Sequence, residues 1–327
     1  MTVLITGSSG HLGEALMRRL RADGRSALGI DIKSSPFTDH VGSVSDTDFV
    51  RRCMAEVSAV IHTATLHKPH VATHSNQDFV DTNITGTLVL LEAAVSAGLT
   101  RFTYTSTTSA FGAALVPPPG APAAWITEDV APVPRNIYGV TKFAAENLCE
   151  LFARQAQLPV VVLRTSRFFP EADDNPEIRA RYTTENAQAN EFPHRRVDIE
   201  DVVSAHLLAL GKAPALGFRR YIISATTPFS PCDLPELRRD APAVIQRKFP
   251  DCEALFQKRG WKLFPHIDRV YVNDLARQEL GWAPRYDFEH VLDALRAGTD
   301  FRSPLAVEIG RKGYHDRTFA DGPYPVA

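Results

Sequence analysis

Thr6-Gly7-Ser8-Ser9-Gly10-His11-Leu12-Gly13 is the stretch on which the fold turns. Val3-Leu4-Ile5, just before it, is a short apolar run. Leu12, Ala15, Leu16 and Leu20, just after it, recur at helical spacing. The glycines therefore join a strand to a helix, in the pattern G-x-x-G-x-x-G. Gly7 permits a sharp turn, Gly10 lets backbone come close to a pyrophosphate, and Gly13 lets the helix pack tightly on the strand. The helix start offers free N–H groups and a positive dipole end to phosphates. Ser9, His11 and Leu12 fill the same turn. The context, more than the glycines alone, marks a dinucleotide site.

Outward from this turn the chain alternates short apolar runs with helical patterns. Ala27-Leu28-Gly29-Ile30, Ala59-Val60-Ile61, Arg101–Thr105, Val160–Leu163 and Tyr221-Ile222-Ile223 read as strands. Phe79–Ala97, Tyr138–Ala153 and Asp198–Leu210 read as helices. Near-continuous apolar runs between helices suit a parallel sheet covered on both faces. The expected class is a doubly wound parallel α/β (Rossmann) sheet with a smaller C-terminal substrate lobe. Residues 1–166 and 198–225 are assigned to the dinucleotide-binding domain. Residues 167–197 and 226–327 are assigned to the lobe, with the tail after Phe301 lying as loops on the main body.

Composition narrows the class. The chain has 327 residues, 44% of them hydrophobic, and a net charge of −2. That charge argues against a general nucleic-acid binder. Cys53, Cys149, Cys232 and Cys252 lie far apart and form no C-x-x-C pair, which points to a reducing compartment. No signal peptide and no membrane span are expected, so the reading is cytoplasmic.

Asp31 ends the second strand. A carboxylate there accepts hydrogen bonds from the adenosine ribose and repels a 2′-phosphate, so NAD is expected over NADP. Lys33, two residues on, could partly neutralise such a phosphate. Tyr138-Gly-Val-Thr-Lys142 sets a phenol and an ammonium four residues apart, on one face of a helix. The cation favours the phenolate and so makes a base of a group that normally titrates near 10. Tyr104–Gly112 puts a run of hydroxyls at a strand's carboxyl end, where such sheets present their ligands.

With these in order, the sequence resembles the extended short-chain dehydrogenase/reductase family, of the NAD-dependent nucleotide-sugar epimerase/dehydratase type. The matching residues are the three glycines, Asp31, Ile61-His62-Thr63-Ala64 and Asn83-Ile84-Thr85-Gly86-Thr87. Phe111-Gly112, Tyr138 with Lys142, Leu163-Arg164, Val197–Val202 and Leu280–Pro284 complete them. The resemblance implies Thr107, Tyr138 and Lys142 as catalytic residues. It implies Ile32 beside Asp31, Ser43 and Val44, Thr63 and Ala64, Asn83 and Thr105 along the cofactor. The helices from Phe79 and Tyr138 resemble those that often form a dimer interface, so a homodimer is expected.

The departures shape the substrate reading. Thr107-Thr108-Ser109 stands where related sugar dehydratases carry Thr-Asp-Glu, so water elimination is not expected. Arg167 replaces the family's usual Asn after the sixth strand, and Glu171 stands near its usual Gly-Pro. His67, Thr108, Arg167, Arg196 and Arg269 are expected to meet the substrate, because an Arg fork suits carboxylate or phosphate oxygens. His62, His67, His70 and His74 match no zinc spacing, and no metal is expected. The reading is an NAD-dependent epimerase-like enzyme acting through a keto intermediate on an anionic sugar or nucleotide-sugar. Two alternatives are a net dehydrogenase of a sugar, uronate or other secondary alcohol, and a dinucleotide-sensing regulator. Such regulators usually lack the Tyr/Lys pair.

Overall fold

Every apolar run named above becomes a strand in the computed structural model, which describes residues 1–315 and Phe319. The strands are β1 Val3–Thr6, β2 Ala27–Asp31, β3 His40–Val41, β4 Ala59–His62, β5 Phe102–Thr107, β6 Ala124–Ile126, β7 Val160–Thr165, β8 Phe218–Ile223 and β9 Arg269–Tyr271. Seven form one sheet in the order β3-β2-β1-β4-β5-β7-β8, and every neighbouring pair is parallel. The order reverses beside β1, so the carboxyl ends of β1 and β4 open a crevice there. The fold is the expected doubly wound Rossmann type.

The helices up to residue 216 are α1 His11–Ala22, α2 Thr47–Met54, α3 Asn76–Phe79, α4 Gly86–Ser96, α5 Ile137–Gln155, α6 Pro176–Arg181, α7 Thr184–Glu191 and α8 Ile199–Leu216. Strand alternation divides the core between the two faces of the sheet. Val3 and Ile5 join Leu16, Leu20, Val203 and Leu210, beneath α1 and α8. Leu4 joins Val50, Leu90, Tyr104 and Ala145, beneath α2, α4 and α5.

Phe79–Ala97 is not one regular helix. Between α3 and α4 the residues Val80–Thr85 form a π-helical turn. Such wide turns often mark functional sites. This one turns Asn83 inward, where it is buried.

A second cluster, with Phe192, Val244, Phe256, Phe288 and Leu292 at its centre, forms the smaller lobe, and β6 pairs with β9 beside it. The residues after 226 divide between the two bodies. Leu280, Trp282 and Ile309 belong to the sheet-side cluster under α1 and α8. Trp282 Nε1 donates to Ser204 Oγ at 2.9 Å and to the Asp201 carbonyl at 3.2 Å. Residues 226–327 are therefore not all lobe, contrary to the expectation from sequence; each returning segment is too short for its apolar pattern to show where it packs. No helix among the described residues is long and apolar enough to cross a membrane.

Candidate active site

The glycine turn is shaped by close approach. Gly7 has φ +70°, and a Cβ there would lie 2.8 Å from the Ala64 backbone nitrogen. A Cβ on Gly13 would lie 1.9 Å from the Gly7 carbonyl oxygen. Neither position tolerates a side chain, so the loop is held flat against β1 and β4. No side chain caps the start of α1. Its N–H groups are left for an anion. Asp31 accepts from Ser9 N–H at 3.0 Å and from Lys33 N–H at 2.9 Å, which ties the end of β2 to the glycine loop. Thr6 Oγ1 accepts from the N–H groups of Thr63 and Ala64, both at 3.1 Å.

One cleft of ≈ 1260 Å³ runs from this loop across the carboxyl edge of the sheet to the lobe. Gly7, Ser9, Gly10, His11, Leu12, Gly13, Asp31, Ile32, Ser43, Val44, Thr63, Ala64 and Thr105 all line it. So do Thr107, Thr108, Tyr138, Lys142, His67, Arg167 and Arg269. Its volume exceeds the ~300–1,000 Å³ of a single-ligand pocket. The flat loop, uncapped helix start and terminal carboxylate fit the pyrophosphate and ribose of NAD.

The reacting end is built by β5 and α5. Asn136 starts α5 by accepting Gly139 N–H at 3.0 Å. That cap sets Tyr138 in the first turn and Lys142 one turn on. Thr107 Oγ1 accepts from Ser109 N–H at 3.1 Å, and Thr107 lines the cleft together with Tyr138. Burial pushes Tyr138 up to about 12, against the pull of Thr107. Burial pushes Lys142 down to about 7, while Glu146 pulls it back up. Lys142 Nζ donates to the Thr105 carbonyl at 2.7 Å and lies 4.1 Å from the Tyr104 ring centre. The three expected catalytic groups thus converge on one wall of the cleft.

Glu146, absent from the sequence reading, underlies this wall. Ser106 Oγ donates to it at 2.5 Å, and Arg164 Nη2 pairs with it at 2.8 Å with almost no solvent contact. Arg164 was part of the family pattern; its partner shows only in three dimensions.

Two expected site residues stand elsewhere. Asn83 does not line the cleft. Its Oδ1 accepts from Leu66 N–H and Thr65 Oγ1, both at 2.9 Å, and its Nδ2 donates to the Leu66 carbonyl and Thr141 Oγ1. It braces the loop after β4 against α5. Arg196 is buried, pairs with Glu191 at 2.7 Å and donates to the Phe169 carbonyl at 2.5 Å. Its neighbour Arg195 lines the cleft instead. An arginine next to a strand bridge is equally plausible by sequence at either position; one-residue alternation decides.

The lobe end carries both signs of charge. Arg167 pairs with Asp173 at 3.1 Å and Asp174 at 3.3 Å. Arg195 pairs with Glu191 at 2.7 Å and Asp173 at 3.3 Å, and Lys68 pairs with Asp174. An anion reaching Arg167 must therefore compete with two carboxylates.

The histidines have separate duties. His62 is buried between Thr6 Oγ1 at 2.7 Å and Thr87 Oγ1 at 3.0 Å, and it stitches β4 to β1 and α4. His67 stacks on Phe169 with centroids 5.3 Å apart and lies 6.4 Å from the Tyr138 ring. Burial holds His67 well below its usual range, so it is a neutral ring beside the phenol. Lys312, Gly313 and Tyr314 also line the cleft. The tail after Phe301 was expected only as loops on the main body; instead Pro304–Ile309 is a helix, and the residues beyond it reach the cleft.

The chain matches the model of the NAD dependent epimerase/dehydratase family over residues 3–223. Uncharacterized protein y4nG of Sinorhizobium fredii is 29% identical over 50% of this chain, which spans 40% of that protein's own length. UDP-glucose 4-epimerase of Mycolicibacterium smegmatis is 27% identical, over 87% of this chain and 94% of its own. Among solved structures, a short-chain dehydrogenase/reductase superfamily protein from Agrobacterium tumefaciens with bound NAD superposes at TM-score 0.65. It is 23% identical, over 91% of this chain and 98% of its own. With its glycine turn, its Tyr/Lys pair and this match over most of its length, the chain belongs to the NAD dependent epimerase/dehydratase family and is an NAD-dependent enzyme.

Proposed function

We propose that the enzyme epimerises a hydroxyl-bearing carbon of a sugar or nucleotide-sugar through a keto intermediate. The observation that carries this reading is the placement of Thr107, Tyr138 and Lys142 midway along one continuous cleft. The glycine loop and Asp31 lie at one end of it, and the mixed-charge lobe surface lies at the other. NAD, when bound, supplies the hydride acceptor and a positive ring beside the phenol. Tyr138 takes the hydroxyl proton, Thr107 orients the substrate oxygen, and Lys142 favours the phenolate. The absence of carboxylates at Thr108 and Ser109 supports simple hydride exchange over water elimination. The near-full-length similarity to a UDP-glucose 4-epimerase supports the epimerase form.

A second reading, net oxidation of a free sugar or uronate, is favoured by one observation. Arg167 is already held by Asp173 and Asp174, which weakens it as a diphosphate clamp. Incubation with NAD and UDP-glucose, UDP-galactose, glucose or glucuronate separates the two. Epimer formation without growth of the NADH absorbance band supports the first. Stoichiometric growth of that band with a free sugar overturns it in favour of the second.

We further propose a cytoplasmic homodimer built on α4 and α5. All four cysteines are free. Val140 is exposed, and Leu88, Phe143 and Leu151 are partly exposed on the outward sides of these helices. Light scattering after size exclusion checks this: a dimer mass supports it, and a monomer at micromolar concentration contradicts it.

A further inference from the structure

The segment Arg311–His315 crosses the mouth of the cleft and is tied to three separate elements around it. The first is the glycine loop. Lys312 Nζ donates to the Ser9 carbonyl at 3.0 Å and pairs with Glu14, in the first turn of α1. The second is the stretch after β7. Glu171 accepts from the N–H groups of Lys312 at 3.1 Å and Gly313 at 3.2 Å, and Tyr314 Oη donates to it at 3.4 Å. Arg311 Nε donates to the Pro170 carbonyl at 3.3 Å. The third is the loop after β4. His70 Nδ1 accepts from His67 N–H, so its Nε2 carries the proton and donates to the Tyr314 carbonyl at 3.2 Å. His315 Nε2 meets the Pro69 carbonyl at 2.9 Å.

The ring of Tyr314 lies edge-on to His67 at 4.9 Å and to Phe169 at 5.9 Å. His67 in turn lies 6.4 Å from the Tyr138 ring, at the reacting end. Glu171 is itself 5% exposed and 2.9 Å from His11 Nε2, within the glycine motif. The residue that departs from the family's Gly-Pro is thus the anchor of the segment.

We propose that Arg311–His315 is a clasp that retains the dinucleotide between turnovers. Lys312 adds a positive charge to the loop assigned to the pyrophosphate, and Tyr314 walls the reacting end. The clasp must open to admit or release the cofactor. It rests on the reading of this cleft as the dinucleotide site. Retention matches a reaction that returns its cofactor unchanged, and it is wasteful for one that must exchange NADH each turnover.

The test uses the full chain loaded with NADH, displaced by excess NAD and followed by NADH fluorescence in a stopped-flow instrument. Lys312→Ala and Tyr314→Ala are expected to speed NADH release by about tenfold or more, and to speed association as well, because a doorway has been removed. Glu171→Ala, which removes the anchor, is expected to do the same. A loss of affinity without opening would raise only the release rate. Release and association within twofold of the parent in both Lys312→Ala and Tyr314→Ala, with unchanged thermal melting, would overturn the clasp. Failure of the parent chain to bind NADH at all would instead overturn the reading of the cleft. Lys312 and Tyr314 belong to none of the hydrophobic core clusters, so a folding failure of Glu171→Ala leaves the outcome readable.

Discussion

Lys142 Nζ donates to the carbonyl of Thr105, the strand residue two positions before Thr107, at 2.7 Å. The bond fixes the ammonium at the carboxyl end of β5, on the helix face it shares with Tyr138. It also keeps a cation in a place where burial disfavours the charge. The site holds its charge at a cost in stability, as is common where function and packing compete.

That cost has a pH dependence. The folded-state value of Lys142 is about 7, against 10.5 for an ordinary lysine. Below pH 7 the folded protein must bury the cation, and the penalty is at its full size. Between 7 and 10.5 the folded state sheds the proton that the unfolded chain keeps, and the penalty fades. Lys142→Met is therefore expected to gain most in melting temperature over the parent below pH 7. The gain should shrink towards pH 10.5, as read by calorimetry across that range. A gap that is constant with pH, or that widens with it, contradicts this.

Tyr138→Phe removes the phenol oxygen and leaves the ring in its place. Turnover should fall by on the order of a hundredfold to ten-thousandfold, the span expected for a positioned acid–base group. NAD affinity should stay within a few-fold, by titration calorimetry. Retention of full cellular function by this variant would favour a sensing role.

Glu146→Ala leaves the buried Arg164 guanidinium without its carboxylate. Breaking a buried pair from one side costs about 3–5 kcal/mol. Chemical denaturation should show a loss of that order. A loss below about 1 kcal/mol would mean that the pair behaves like an exposed one.

The lobe end should respond to acid. Burial pushes Glu191 up, but Arg195, Arg167 and Arg196 outweigh it and hold the carboxyl at about 2. Its stabilising contribution is complete above the ordinary value of 4.5 and is lost as pH falls towards 2. Melting temperature should drop through that window, and the drop should be shallower in Glu191→Gln. Equal slopes for the two proteins would count against the assignment.

Much of this was legible beforehand, for identifiable reasons. The glycine turn, Asp31 and the Tyr138/Lys142 pair are local patterns, since each needs residues only a few positions apart. β5 could be placed because Phe102 and Tyr104 alternate with β-branched threonines, the two-residue period of a strand. What escaped notice depends on distant segments meeting. Glu146 meets Arg164 across a helix–strand contact, and Asn83 reaches Thr141 through a π-turn that breaks the 3.6-residue period. Arg196 and Arg195 differ by one position, and only the chain's path after α7 shows which side chain faces the cleft. The clasp spans 141 positions from Glu171 to Lys312.

Asp31→Ser should widen cofactor choice. With the carboxylate gone from the end of β2, the ratio of kcat/KM for NADP to that for NAD should rise by about tenfold or more. An unchanged ratio would place the ribose elsewhere.

A crystal structure of the full chain soaked with NAD tests the central claim most directly. The account predicts the pyrophosphate on the Gly7–Gly13 loop, the adenosine ribose on Asp31 and the nicotinamide ring beside Tyr138 and Lys142. A dinucleotide bound away from that loop, or one whose reacting ring lies far from the Tyr138 phenol, would contradict it.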